Sequence, residues 1–425
     1  MHPHLSGAGP ARLLAVAYGG GHIAMLLPVL DALRRRRPGL ELHLLALTTA
    51  RRAALAAGWR ALGYADLLHL LRDDEREQAL ALGRQLLPGN THPDVAEAES
   101  IAYLGVNAWE LQRRHGAQRA AQLLAQQSRQ AFAPREFMRR VLRELRPCLV
   151  LATNSPRSEQ AALEAAHDMG IDSLALLDLF AQAGDPFAAR TVRPTRVCVL
   201  ADAVRDNLLA AGWEPRRIAV TGNPAFDSLL DPRAREQACT LRRQWTRDWA
   251  RGPGRLVLLA TQPEIRGHAD SPWPAGDALP LAMEAQARAW VAQRPQASLV
   301  VRHHPNHWHR APRVADTAQV HFSVASREPL EPLILAADAV VVQATTVGLQ
   351  AAVAGRPVLS LQCSPAALHG PDYAALGVAR GVPGLPQLAQ ALDDTLDHPP
   401  PPTRWARAQA AAPRVVDEIE RLLPA

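Results

Sequence analysis

Short apolar runs alternate with amphipathic stretches along this chain. The segment "RLLAVAY", Arg12–Tyr18, has the continuous apolar character of a strand buried on both faces and runs into "GGGH", Gly19 to His22. The next stretch, "IAMLLPVLDALRRRR", reads as a helix and "LELHLLAL" as a second strand. "CLVLATN" reads as a strand, "PRSEQAALEAAHDMG" as a helix closed by Gly170, and "IDSLALLDLF", "TRVCVLA" and "RIAVTG" as further strands. That rhythm predicts an α/β fold of doubly wound type, a parallel sheet with helices on both faces.

One stretch interrupts it. From Asp66 to Pro147 the pattern is helical, and "AEAESIAYLGVNAWELQRRHGAQRAAQLLAQQSRQAF" is its longest piece. Such an insertion either covers a sheet edge or binds an acceptor, and the residues leave both roles open. Tyr103, Asn107, Trp109 and Glu110 are spaced first for a packed helix face and second for a sugar-stacking platform.

After an Arg/Trp-rich stretch near 230–252 the alternation restarts: "RLVLLATQPE", "SLVVRHHPN", "VHFSVAS", "AVVVQATT" and "PVLSLQ". A proline run, Pro399–Pro402, precedes a last helix. The expected organisation is a first domain over 1–235, a second over 236–400, and a closing segment, 401–425, returning to the first. A length of 425 residues also favours two cores over one.

Composition narrows the chemistry. The chain has no lysine, so all 47 of its basic residues are arginine. That excludes Schiff-base and P-loop lysine chemistry. The formal charge of +6 permits anionic partners, but the arginines are scattered apart from Arg34–Arg37, which reads as a solvated helix end; nucleic acid is not expected. Cys148, Cys198, Cys239 and Cys363 follow no ligand spacing and read as reduced thiols. With no apolar run long enough to span a membrane and no signal-type start, a cytoplasmic protein is expected.

Two strand-to-helix junctions carry candidate chemistry. Gly19, Gly20 and Gly21 let a backbone approach a ligand, with His22 beside them. Thr345 and Thr346 are expected to end a buried strand and start the helix carrying Gln350, where hydroxyls and helix N–H groups suit a diphosphate. In "TNSPRSEQ", Ser155 or Ser158 is expected to cap a helix, the alternative being Arg157 reaching a phosphate or an acceptor carboxylate. Asn223 is expected to fix a turn.

"RIAVTGNPAFDSL", "LVVRHHPN" and "ADAVVVQATTVGLQAAVAGRPVLSL", in this order, resemble the GT-B superfamily of nucleotide-sugar glycosyltransferases and UDP-N-acetylglucosamine 2-epimerases. "GGGH" resembles the glycine-rich loop of the peptidoglycan N-acetylglucosaminyltransferase. The similarity runs from about residue 12 to 395, the insertion excepted. It implies two facing Rossmann-like domains, a nucleotide-sugar donor held by the second and an acceptor by the first. On this resemblance Thr345 and Thr346 face the donor phosphates, and Gln350 stands where the family usually has a ribose-binding glutamate. His304 matches a His-Pro motif near the diphosphate, with Arg302 adding charge and Thr261 and Gln262 as secondary contacts. For His303, His304, His307 and His309 a metal site is the disfavoured alternative.

His22 and Asp178 are then the candidate catalytic groups. A 2-epimerase of this superfamily needs several acids in its first domain, and one expected place holds Thr153, Asn154 and Ser155 instead. The expected activity is therefore transfer of a sugar from a nucleotide diphosphate, UDP first among carriers, to a saccharide or glycolipid in polysaccharide assembly. No cofactor or metal is expected, and peripheral contact with the inner membrane face is left open. The rivals are a nucleotide-sugar 2-epimerase or hydrolase, a phosphoglycerol-type transferase, and a non-catalytic nucleotide binder.

Overall fold

A parallel strand buried on both faces needs apolar side chains at every position, and Leu13 to Ala17 are all fully buried. The computed structural model describes residues 10–178, 180–246, 254–304, 317–325 and 327–424. The chain divides into two compact units, one up to Ala225 together with Ala410–Ala425, the other Phe226–Gln409.

The first unit holds β1 (Arg12–Tyr18), β2 (Glu41–Leu47), β3 (Leu149–Thr153), β4 (Asp172–Leu177), β5 (Arg196–Val199) and β6 (Ile218–Val220). They pair in the order β2-β1-β3-β4-β5-β6, and every pair is parallel. The chain steps from β1 to β2 on one side, then returns to lay β3 on the other. The order therefore reverses between β1 and β3, and at such a point loops diverge and leave a crevice at the carboxyl ends of the strands.

The second unit repeats the plan. Its strands are β7 (Arg255–Thr261), β8 (Ala297–His303), β9 (Val320–Ser323), β10 (Ala339–Val342), β11 (Val358–Leu361) and β12 (Arg380–Val382). They form a second parallel sheet, β12-β11-β10-β7-β8-β9, whose reversal falls between β7 and β10.

The insertion between β2 and β3 is helical as expected, but its longest piece is two helices, Glu97–His115 and Ala117–Gln127. Gly116 breaks it with a φ of 78°. Helices Asp73–Leu86 and Glu97–His115 cross backbone to backbone at Gly83 and Gly105, where an added Cβ would lie 2.1 Å from the Ile101 carbonyl oxygen or 2.0 Å from that of Ala79. Trp109 is buried under Arg113 and Arg140, and Glu110 accepts the N–H groups of Glu136 and Phe137. Those two residues, with Asn107 bonded to the Tyr103 carbonyl, serve the helix packing.

Two boundaries differ from the expected ones. The first unit ends at 225 rather than 235, with Asn223 Oδ1 accepting the Ala225 N–H at the turn. The returning segment begins at 410 rather than 401, because Trp405 is sunk in the second unit and donates to the Leu376 carbonyl. The final helix, Ala411–Glu420, buries Val415, Val416 and Ile419 in the first unit's core. Arg36 pairs with Asp417 at 2.7 Å, so the basic helix end is a clamp on this helix rather than a solvated terminus. The four cysteines are free thiols. Among the described residues no helix is long and apolar enough to cross a membrane.

Candidate functional site

At the first reversal point, β1 ends at Tyr18 and the chain turns through Gly19, whose φ of 85° suits glycine. Helix Gly20–Arg36 starts at once, which puts His22 on its first turn. Across the reversal, β3 ends at Thr153 and helix Ser158–Asp168 begins, carrying Glu159. Glu159 is 0% exposed. Its carboxylate accepts the Tyr18 N–H at 2.6 Å and the Thr153 N–H at 2.8 Å, and the Thr153 hydroxyl donates to it as well. Three donors thus converge on this one buried side chain.

That network assigns the histidine tautomer. The Thr153 hydroxyl proton is spent on Glu159, so its oxygen accepts from His22 Nδ1 at 2.5 Å, and Glu159 Oε1 lies 3.2 Å from the same nitrogen. Nδ1 carries the proton and Nε2 is the free lone pair. It points towards Asp178 Oδ2, 3.9 Å away, just past the end of β4. Burial pulls the His22 pKa down, but the hydrogen bond and charge of Glu159, with Asp178 behind, outweigh it; Arg157 opposes them, and the net value lies above 6.5. Asp178 is itself pushed up by burial, against the pull of His22 and Asn154.

The expected serine cap is absent. The residue before helix Ser158–Asp168 is Arg157, at a φ of 72° and without a capping side chain. This turn sends both hydroxyls inward: Ser158 bonds the Tyr64 hydroxyl at 2.8 Å and Ser155 the Pro156 carbonyl at 3.2 Å.

At the second reversal point, Gln343 follows β10 and is 0% exposed. Its amide accepts the Gln262 N–H at 3.0 Å, donates to the Gln262 carbonyl at 2.7 Å and reaches Glu264 at 2.8 Å. Glu264 also takes the Ser364 hydroxyl and the Ala366 N–H. Gln262 is thus held through its backbone. Thr261 bonds His303 Nδ1 at 2.7 Å, and His303 Nε2 lies 3.1 Å from Glu284. Arg302 donates to the Ser323 hydroxyl and the Glu328 carbonyl. The side chains of Thr261, last in β7, and Arg302, next to last in β8, are thus bonded within the second unit.

Thr345 lies three residues past the end of β10 rather than at its tip. It is 7% exposed, precedes helix Thr346–Val353 without capping it, and its Oγ1 has no hydrogen-bond partner. Its carbonyl accepts the Tyr373 hydroxyl. Thr346 is exposed at the first helical position and Gln350 is half-buried one turn on. His304 follows β8 at the same carboxyl edge, with β7 intervening before β10. His307 and His309 lie outside the described residues. Among those described, no group of three or more His, Cys, Asp or Glu is placed to hold a metal ion.

No protein-family model and no curated protein matches the sequence. Solved structures do resemble the fold. The UDP-GlcNAc 2-epimerase of Neisseria meningitidis, solved with UDP-GlcNAc, aligns over 96% of this chain and 100% of its own at 14% identity, TM-score 0.57. MurG of Acinetobacter baumannii aligns over 97% and 100% at 15% identity, TM-score 0.51. The kitacinnamycin glycotransferase aligns over 98% and 100% at 16% identity, TM-score 0.52. The chain has the GT-B fold.

Within this GT-B chain the expected residues gather into two sets. His22 and Asp178 meet in the first unit, beside Gly19 to Gly21. Thr261, Gln262, Thr345, Thr346 and Gln350 line the β7/β10 reversal of the second, with Arg302 and His304 at the end of β8. The pattern of residues did not mark Glu159 or Gln343. Glu159 looked like an acid favouring a helix N-terminus, and Gln343 like the last residue of an apolar run. The signal available was position: each follows a strand flanking a reversal point.

Proposed function

We propose that this chain transfers a sugar from a nucleotide-diphosphate donor to an acceptor hydroxyl, with His22 as general base. The observation that carries the reading is the locked Nδ1 proton, which leaves Nε2 as the basic atom at the first reversal point. In the step, Nε2 takes the acceptor's hydroxyl proton as the acceptor oxygen bonds the anomeric carbon. The bond from that carbon to the diphosphate oxygen breaks, and the diphosphate leaves with the electron pair. Glu159 stabilises the imidazolium that forms. A single displacement of this kind inverts the anomeric centre. Thr345 Oγ1 and the N–H groups opening helix Thr346–Val353 are the groups assigned to the departing diphosphate. The acceptor belongs to the saccharides or glycolipids, met in the cytoplasm or at the inner membrane face.

The 2-epimerase reading has one observation in its favour: Asp178 is a half-buried carboxyl beside His22 whose pKa is raised by burial. Against it, Glu159 is saturated with donors and Thr153, Asn154 and Ser155 supply no second acid. UDP-GlcNAc, the ligand of the Neisseria structure, is the first donor to assay, with and without mixed saccharide acceptors. UDP release that depends on an acceptor supports transfer. Conversion of the donor sugar with no acceptor selects epimerisation. No turnover and no binding of any nucleotide sugar defeats the proposal.

A further inference from the structure

Among the described residues Arg157 and Arg190 form no direct ion pair, although Glu164, Glu159 and Asp185 act on Arg190 from further away. Neither has a carboxylate within ion-pair distance among the described residues. Arg190 donates one nitrogen to the carbonyls of Asn154 and Ser155, at 2.9 and 3.3 Å, while its Nε and Nη1 are buried without partners. Burial drags its pKa down to about 10, so it remains a cation at neutral pH. Arg157 sits on a left-handed backbone, its guanidinium 4.1 Å from the Tyr18 ring centroid and its Nε buried without a partner. Both side chains are half-buried, yet leaving these buried nitrogens unbonded is costly, as is a non-glycine residue at positive φ. Two such features at one strand end favour an anion as the missing partner.

The same tyrosine walls a cavity of about 200 Å³ roofed by the helical insertion. Tyr103 faces Tyr18 there, with ring centroids 5.8 Å apart, and its buried hydroxyl has no hydrogen-bond partner. Thr49, Asn90 and Arg129 add polar groups. The one buried carboxylate in the wall, Glu99, is already held by the N–H groups of Tyr64 and Ala65 and offers the cavity no free charge. Tyr18, which lines the cavity, carries the Arg157 guanidinium on its ring and hands the chain on to the turn before His22. Aromatic walls with hydroxyl and amide groups suit a sugar ring.

We propose that this cavity takes one sugar ring of the acceptor and that the acceptor carries an anionic group, phosphate or carboxylate, bound by Arg157 and backed by the field of Arg190. The inference rests on the transfer reading, since it names what the base at His22 acts upon. It gives the insertion a role: it encloses the acceptor rather than merely covering the sheet.

Calorimetry on the full chain at fixed ionic strength tests it, with a neutral hexose, a hexose phosphate and a hexuronate as probes and UDP titrated in parallel. At least one charged sugar is expected to bind about tenfold tighter than the neutral one, the scale of a charge-assisted hydrogen bond. Which one does so separates phosphate from carboxylate. Arg157→Gln is expected to erase the preference. Arg157→Gly, which relieves the backbone strain, is expected to do the same in a chain that folds at least as well. Equal affinity for charged and neutral sugars, no binding of either charged sugar, or a preference that survives both variants overturns the proposal. UDP affinity lost with Arg157 also overturns it, by moving that residue to the donor. A chain that binds UDP without preferring charged sugars keeps the transfer reading and loses only this one.

Discussion

Among the described residues, the non-glycine positions at positive φ are Thr48, Ser128, Arg146, Arg157 and Ala181, all in the first unit. Thr48, Arg157 and Ala181 come within four residues of the ends of β2, β3 and β4. Among its described residues the corresponding edge of the second unit has no such position, and its polar side chains there are mostly tied to one another: Thr261 to His303, His303 to Glu284, Gln343 to Gln262 and Glu264. Two six-stranded parallel sheets, each with one reversal point, are thus finished differently. Each strained residue costs about 1–3 kcal/mol, and such strain clusters where a site is held in a working geometry. The first edge combines strained backbone, arginines without an ion pair and a histidine oriented by Thr153 and Glu159, as the proposed reaction would require. The second is a satisfied platform with a few groups, Thr345 Oγ1 among them, left for a ligand.

The sharpest way to break this contrast is to remove the base. His22→Ala is expected to lower turnover by about 10²- to 10⁴-fold, the usual range for a general base, while nucleotide-diphosphate affinity stays near wild type. Initial rates and calorimetry check both halves; comparable losses in binding and rate would assign His22 to donor binding instead. The pH dependence has a definite sign. The base works neutral and its pKa is raised above 6.5, so the rate climbs with pH through a value above 6.5. Stability runs the other way: the protonated ring gains from Glu159 and Asp178, a contribution fully present below the unfolded value and lost as pH rises through the folded one.

Glu159 ranks next. Glu159→Ala strands the N–H groups of Tyr18 and Thr153, buried at the reversal point, and is expected to cost about 3–5 kcal/mol, read as a fall in melting temperature. Glu159→Gln keeps the volume and one acceptor, and is expected to cost less while shifting the pH–rate limb to more acid values. A limb that does not move would mean that another group sets the His22 pKa.

These residues also show what could be read from the chain. The parallel sheets were legible because each strand is an unbroken apolar run, and the place of His22 at a strand-to-helix junction because three glycines precede it. Glu159 was not, since nothing local distinguishes a buried, saturated carboxylate from an acid at a helix start; the difference lies in Tyr18, 141 positions away. Serine capping was misjudged for a similar reason, as the positive φ of Arg157 is set by tertiary packing against Tyr18. Thr261 and Arg302 looked available because they lie at or next to strand ends, but their partners come from elsewhere in the chain, His303 and Ser323.

The second edge makes the subtlest demand. Thr345 Oγ1 is buried with nothing to bond, a state that disfavours the empty protein. Thr345→Val keeps the shape and removes the hydroxyl, so the ligand-free chain is expected to be as stable as wild type or slightly more so. Nucleoside-diphosphate affinity is expected to fall by about 0.5–1.5 kcal/mol, one hydrogen bond's net worth. Melting temperature and calorimetry measured on the same sample must therefore move in opposite directions or with the first unchanged. A variant that loses stability would mean that this hydroxyl serves the fold, as Thr261 does. The contrast between a site held ready for reaction and a platform left open for a ligand would then be drawn in the wrong place.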